Sequence, residues 1–241
     1  DLWYGTASFV DPHRVRIERE ADHVEHTADF IVIACGTVPA RPAHIPFDDQ
    51  TIIDTDGLLA LKDLPKSITI IGGGVIGAEY ASILATMGIH VTLIERRPRL
   101  LEFVDQETIE ALQYHMRSIG VILRFNEEVV SVEPVAEQQV IVRLKSGKEI
   151  AASTVLYSVG RTGASPTLNL AAISLTADDR GRLSVNEHYQ TSVPHIYAAG
   201  DIIGFPALAS TSMQQGRHAA CHAFGVPYHT QSDLMPYGIY S

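Results

Sequence analysis

Short apolar runs alternate along this chain with stretches in which apolar residues recur at helical spacing, punctuated by glycine and proline, the pattern of an α/β protein. The clearest unit runs from Ile68 to Glu95. Ile68-Thr69-Ile70-Ile71 predicts a strand that stops at Gly72-Gly73-Gly74-Val75-Ile76-Gly77, after which Ala78, Ala81, Leu84 and Ala85 mark one face of a helix. Gly88 ends that helix, and His90-Val91-Thr92-Leu93-Ile94 predicts the next strand, with Glu95 at its end. Beyond it, Asp105 caps a helix with the stripe Ile109, Leu112, Met116 and Ile119, and Gly120 is its stop. Val121-Ile122-Leu123 continues a parallel sheet, whereas Val129 to Val135 and Val140 to Leu144, with a turn at Ser146-Gly147, predict antiparallel strands beside it. Thr154-Val155-Leu156-Tyr157 predicts a further strand ending at Gly160-Arg161.

On either side of this unit the pattern is looser. Gly5 to Val10 and Arg14 to Glu18 predict a hairpin around the turn Asp11-Pro12-His13. Phe30-Ile31-Val32-Ile33-Ala34 suits a strand buried on both faces, as in a parallel sheet, and leads into Cys35-Gly36-Thr37-Val38-Pro39. Pro39, Pro42 and Pro46 then forbid regular structure, so the segment to Lys66 reads as a crossing between domains. Near the end, His195-Ile196-Tyr197-Ala198-Ala199 delivers Gly200 and Asp201 to the C-terminal end of a strand, where open α/β sheets bind ligands. Leu208 to Phe224 predicts a helix beginning near Ser210-Thr211-Ser212. Gly36 and Gly200 flank the central unit as the strand ends of one divided domain.

Composition narrows the classes. A chain of 241 residues with 46% hydrophobic positions can build one large or two smaller cores. The formal net charge of −10 argues against nucleic acid or an anionic membrane as partner, the run Arg96-Arg97-Pro98-Arg99 being the local exception. No apolar stretch approaches the ~20 residues that cross a bilayer, so a cytoplasmic protein is expected. Cys35 and Cys221 stand far apart without metal-ligand spacing and are expected to be buried free thiols. His218 and His222 share one helix face but lack a third ligand, so surface histidines are expected and no metal. The start at Asp1, without Met, in the middle of a β-rich region reads as a fragment.

The candidate chemistry lies in the glycine turn. Gly72 permits a sharp turn, Gly74 lets the backbone approach a pyrophosphate, and Gly77 lets the helix lie close to the strand. Val75 and Ile76 open the helix, whose N-terminal N–H groups and dipole favour a phosphate. The same glycines also suit a turn that only solves a packing problem. Glu95 stands where an acid binds a ribose hydroxyl, which favours NAD and repels a 2′-phosphate. Arg96 and Arg97 offset that repulsion: at ~4 Å and an effective dielectric of ~20 each unit-charge interaction is about 4 kcal/mol, so both NAD and NADP are expected to bind.

The order of motifs resembles the two-dinucleotide-binding-domain flavoproteins, the pyridine nucleotide-disulfide oxidoreductase family that contains lipoamide dehydrogenase, glutathione reductase and mercuric reductase. Ala34-Cys35-Gly36-Thr37-Val38-Pro39 resembles its Ala-Thr-Gly-x-x-Pro segment, with Cys35 in place of the usual threonine. Gly72 to Glu79 resembles the NAD(P) loop, Gly160-Arg161 the end of the NAD domain, and Ala199-Gly200-Asp201 the second FAD motif. Gly160-Arg161-Thr162-Gly163, Tyr189-Gln190-Thr191, Leu208-Ala209-Ser210 and Gly238-Ile239-Tyr240 resemble the members that pass hydride from NADPH to NAD through bound FAD.

The resemblance implies an α/β fold: a Rossmann-like NAD(P)-binding domain with a three-layer parallel sheet, inserted in a partial FAD-binding domain. The expected bounds are 1–64 and 162–228 for the FAD parts, 65–161 for the NAD(P) domain, and 229–241 for the start of a C-terminal dimerisation domain. It implies an oxidoreductase fragment, inactive alone, with FAD held only by the full-length protein, which would be a homo-oligomer. Gly36, Gly200 and Asp201 would hold the flavin, and the helix entered through Leu208, Ala209 and Ser210 would aim its positive end at it. Arg161 would position the flavin region, or is only a surface charge. Glu79, read in the first helical turn, would lie beside the nicotinamide; Val130 and Gly160 complete the cofactor-binding set. No catalytic residue is expected, since hydride passes directly between cofactors. A disulfide reductase and a nucleotide-binding module without chemistry are the alternatives.

Overall fold

The computed structural model describes residues 1–136, 139–228 and 237–241. By contact the chain divides into two units, Asp1–Val38 with Arg161–Pro236, and Pro39–Gly160 with Tyr237–Ser241. Residues 39–64, grouped by the sequence reading with the opening part, thus lie with the second unit. Residues 229–236 of the expected dimerisation segment fall outside the described residues.

The second unit is built on five parallel strands in the order Ile52–Ile53, Thr154–Tyr157, Ser67–Ile71, His90–Glu95 and Ile122–Phe125. Side chains alternate across this sheet as the pleat requires. Ile68, Ile70, Val91, Leu93 and Leu156 face a core shared with Ala78, Ala81 and Leu84 of the helix Val75–Thr86 and with Ile109 and Met116 of the helix Gln106–Ser118. Ile71, Ile94, Ile52 and Val155 face the other way, against Val132, Val140, Val142 and Leu144. Those four belong to an antiparallel sheet formed by Val129–Ala136, Gln139–Leu144 and Glu149–Ala152. The layers are therefore helices, parallel sheet and antiparallel sheet. Asp105 caps its helix by accepting from Glu107 N and Thr108 N, as its position predicts. The crossing segment is more regular than its prolines suggest, because Asp54 accepts from Asp56 N and Gly57 N and starts a short helix, Thr55–Ala60.

In the first unit, Thr6–Asp11, Arg14–Glu18 and His23–Thr27 form an antiparallel sheet. Ile31–Ile33 pairs in parallel with Ile196–Ala198. Ile33, Ile196, Ala198 and Ile202 share a core with Phe9, Leu168 and Leu183. Two expectations fail here. Val32 is 43% exposed rather than buried, because its strand has one neighbour among the described residues and only one covered face. Cys35 is exposed and Cys221 half-buried, since Cys35 lies past the three-residue strand, on the turn that follows it, and Cys221 near the end of the helix Ala209–Ala223.

Candidate functional site

The expected site residues sort into the two units, each set gathered locally. In the second unit the strand Ser67–Ile71 turns at Gly72 with φ +110°, a conformation that disfavours any side chain. Gly72 N donates to Ile94 O at 2.9 Å, tying the turn to the next strand. Ser158 pins it from the other side, its hydroxyl donating to Ile71 O at 2.9 Å and Gly72 O at 3.2 Å. The helix passes so close that a Cβ on Gly77 would stand 1.9 Å from Gly72 O. A Cβ on Gly74, by contrast, would meet nothing within 4 Å. The turn is closed where packing needs it and open above Gly74, where Val75 and Ile76 begin a helix whose N-cap supplies no side-chain acceptor.

Glu95, 4% exposed, reaches back to this turn. Its Oε2 accepts from Gly73 N at 2.6 Å and Arg97 Nη2 at 3.1 Å, and its Oε1 from Arg97 N and Nε, both at 2.9 Å. Burial pushes this carboxyl up, but the Arg97 guanidinium, with the Arg97 and Gly73 amides, outweighs it and holds the group below the usual glutamate range. Arg97 is correspondingly raised, chiefly by its hydrogen bonds to Glu95. Glu95 and Arg97 are thus one clamp, not independent charges. Arg96 is exposed and makes no ion pair among the described residues. Val130 sits at a register shift between Val129 and Ser131 and is 60% exposed. Gly160 follows the strand Thr154–Tyr157, its carbonyl accepting from Ala40 N.

Glu79 corrects one expectation. The helix starts at Val75, which puts Glu79 past the first turn, and no acid occupies that turn. Its carboxylate accepts from Tyr240 N at 2.9 Å.

In the first unit, Gly36 follows the strand Ile31–Ile33 with φ +68°, and its carbonyl accepts from Ala164 N. Arg161 is not a free surface charge: its Nε donates to Thr37 Oγ1 and its Nη2 to Thr37 O, both at 2.7 Å. Thr37 Oγ1 in turn donates to Asp201 Oδ2 at 3.2 Å, so the guanidinium, the hydroxyl and the carboxylate form one chain. Gly200 N donates to the buried Gln215 Oε1 at 2.7 Å. The helix Ala209–Ala223 begins at N-cap Leu208 without a side-chain cap, leaving the amides near Ala209 and Ser210 unclaimed by a capping side chain. Thr37, Ser158, Gly73 and Gln215 are supporting groups outside the expected set; Gly73 carried a signal in its place inside the glycine turn and Thr37 in the segment Ala34 to Pro39, whereas Ser158 and Gln215 carried none.

His218 and His222 do share a face, but with company. His222 stacks on His188 with ring centroids 4.2 Å apart, and Tyr197 OH lies 2.9 Å from His222 Nδ1. Burial, then the neighbouring His188 and His222, lower the His218 pKa. Among the described residues no group of three His, Cys, Asp or Glu could hold a metal ion, and no helix is long and apolar enough to cross a membrane.

The profile of the family described as "Pyridine nucleotide-disulphide oxidoreductase" matches residues 1–216. A soluble pyridine nucleotide transhydrogenase of Mycobacterium bovis (strain BCG / Pasteur 1173P2) is 49% identical over 243 residues, covering 100% of this chain and 52% of that protein. The protein of the same name from Klebsiella pneumoniae is 48% identical over 221 residues, covering 91% of this chain and 47% of its own. The chain spans about half the length of these curated relatives. Among solved structures, the HOCl-induced flavoprotein disulfide reductase RclA from Escherichia coli is similar with a TM-score of 0.89 and 28% identity, over 100% of this chain and 55% of that one. LpdA from Mycobacterium tuberculosis is similar with a TM-score of 0.86 and 27% identity, over 95% of this chain and 50% of that one.

Proposed function

Because the chain belongs to the pyridine nucleotide-disulphide oxidoreductase family, we propose that it is the nucleotide-binding part of an FAD-dependent NAD(P) transhydrogenase that passes hydride from NADPH to NAD. The observation that carries the dinucleotide reading is the contrast within the glycine turn, closed at Gly77 and open at Gly74. That contrast is what a pyrophosphate resting on the helix N-terminus requires. The choice of reaction is supported by the relatives named as transhydrogenases at 49% and 48% identity. A cytoplasmic location and a homo-oligomeric assembly belong to the same proposal.

On this reading Gly72, Gly74, Val75, Ile76 and Gly77 hold the pyrophosphate of the nicotinamide nucleotide, and Glu95 meets its adenosine ribose. All four lone-pair positions of Glu95 already have partners, so a ribose diol enters by taking the place of Arg97. Val130 and Gly160 border this nucleotide, and Glu79 orients toward its nicotinamide end. Gly36, Gly200 and Asp201 would hold FAD, with Arg161 and Thr37 fixing the Asp201 carboxylate, and the helix start at Leu208, Ala209 and Ser210 would place positive dipole beside it. These residues fit such a group: the flavin-side carboxylate is oriented by a hydroxyl that is itself oriented, and the helix amides lack a competing cap. Bound FAD supplies reversible acceptance of a hydride; the chain supplies position and exclusion of side reactions.

The test uses the full protein containing this chain, loaded with FAD. Oxidation of NADPH coupled to reduction of thio-NAD is expected; turnover only when a disulfide replaces thio-NAD would favour the reductase reading that RclA exemplifies.

A further inference from the structure

Three histidines and three tyrosines gather where the helix Ala209–Ala223 passes the turn at 186–190 and the strand Ile196–Ala198. His188 stands at the centre: its ring stacks on His222 at 4.2 Å, and its Nδ1 lies 3.4 Å from His218 Nε2. His222 Nδ1 lies 2.9 Å from the OH of buried Tyr197. The His218 ring meets those of Tyr189 and Tyr228 at 5.4 and 4.7 Å. The turn that carries His188 is fixed by its own bonds, Tyr189 N donating to Asn186 O and His188 N to Asn186 Oδ1, and Ala198 N joins it to the strand by donating to Tyr189 O at 2.9 Å. The imidazoles of His188, His218 and His222 join this turn to the second half of the helix.

We propose that this cluster is a pH-sensitive fastener, which holds the turn against the helix while His188 or His218 is neutral and opens when both are protonated. The inference goes beyond the nucleotide reading and does not rest on it. In the 3.4 Å contact one ring nitrogen must donate and the other accept. Two neutral rings satisfy this, and so does one neutral ring with one imidazolium. Two imidazoliums do not, because both nitrogens then carry hydrogen and like charges face each other. Burial, then His188 and His222, lower the His218 pKa, against the opposing pull of Glu187. That carboxylate is exposed and its Oε1 lies 3.6 Å from His188 Nε2, so it offsets little of the repulsion. His222 is exposed in the last helical turn, where a cation is stabilised, so His188 and His218 are the deciding pair. A histidine whose folded pKa is lowered contributes stability that is present above its unfolded value, about 6.5, and is lost as pH falls from there through the folded value. The same helix carries Gln215, whose Oε1 accepts from Gly200 N, so loosening it reaches the turn before Asp201.

The experiment is hydrogen–deuterium exchange with mass spectrometry on the full protein containing this chain, following peptides from the helix Ala209–Ala223 and correcting for the intrinsic pH dependence of exchange. Between about pH 7.5 and about pH 5.5, wild-type protection of this helix is expected to fall about tenfold, and His218→Gln, which cannot take up a proton, is expected to flatten that fall. His218→Lys places a charge beside His188 at every pH of the series, so it is expected to be the less protected of the two variants already at about pH 7.5. His13→Gln, in the separate stack of His13 on His195 at 3.9 Å, is expected to keep the wild-type profile. Wild-type protection that does not change with pH, or a fall in His218→Gln as steep as in wild type, would overturn the fastener. Equal protection in His218→Gln and His218→Lys would do so as well, since ring packing rather than charge would then hold the turn. A His13→Gln profile as flat as that of His218→Gln would assign the acid response to the unit at large and overturn it too.

Discussion

Two apolar runs of this chain read alike and fold differently. Ile68-Thr69-Ile70-Ile71 and Phe30-Ile31-Val32-Ile33-Ala34 both end in a glycine turn. The first lies between two parallel neighbours, with Ile70 fully buried on one face and Ile71 5% exposed on the other. Among the described residues the second pairs with a single strand; Ile33 is 5% exposed while Phe30 and Val32 are 38% and 43% exposed. The turns differ in the same sense. A Cβ at Gly77 collides with backbone at 1.9 Å, whereas a Cβ at Gly36 meets nothing within 4 Å. Apolarity tells that a strand will seek cover, but the number of neighbours is a property of topology, which a local run does not encode.

The largest expected effect follows from the turns. Gly77→Ala drives a methyl into Gly72 O and Ser158 Oγ, so the helix must move off the strand; a loss of about 4 kcal/mol or more is expected, with loss of NAD binding. Gly36→Ala strains only a positive φ and should cost about 1–2 kcal/mol. Thermal or denaturant unfolding of both variants decides it: similar losses would erase the difference between a turn closed by packing and one set by φ alone.

The strands give the next contrast. Ile70→Ala opens a cavity among Ala81, Leu84 and Leu93 and is expected to cost about 3 kcal/mol, within the range for buried truncations. Val32→Ala removes atoms that water already touches and should cost less than about 1 kcal/mol. Chemical denaturation midpoints at unchanged m-value are the measurement, and a Val32→Ala cost equal to that of Ile70→Ala would mean that the exposed face is covered in solution.

The same contrast marks what the sequence made legible. The glycine turn, its helix, the strand to Glu95 and the capped helix at Asp105 were readable because each rests on local chemistry: a turn that admits only glycine, an apolar stripe, an acid with free backbone donors. The strand His23–Thr27 was not readable, since His-Val-Glu-His-Thr offers a single aliphatic side chain and is held by backbone pairing and by Glu25 bonding Arg16. The short helix Thr55–Ala60 was hidden among prolines because its cap, Asp54, is also the partner of Arg41. At the site, residue types were visible but pairings were not. Glu95 and Arg97 are two residues apart in the chain, and only the buried carboxylate's reach back to Gly73 shows them to be a clamp.

That clamp gives a smaller, pH-dependent effect. Glu95 has a folded-state pKa below its unfolded value, so its contribution is fully present above the ordinary glutamate range and is lost as pH falls through the depressed folded value. Glu95→Gln should therefore cost about 1–3 kcal/mol at neutral pH, by leaving Arg97 and Gly73 N without a charged acceptor, and progressively less in acid. Unfolding measured from neutral to acid pH checks this. A gap between variant and wild type that widens in acid would contradict the direction of the shift.

The smallest expected effect is at Cys35. Its Sγ donates to Ala164 O at 3.5 Å, a weak bond from an exposed thiol, and desolvation raises its pKa, so the neutral thiol is the resting form at neutral pH. Serine at this position has a shorter reach but a stronger donor, and water can complete whatever bond it loses. Cys35→Ser is thus expected to change stability by less than about 0.5 kcal/mol and to leave NAD binding unchanged, because Gly36, not Cys35, has the positive φ that turns the chain. A change of 2 kcal/mol or more in denaturant unfolding would mean that the thiol is packed rather than exposed, and would bring this strand end closer in character to the closed turn at Gly72.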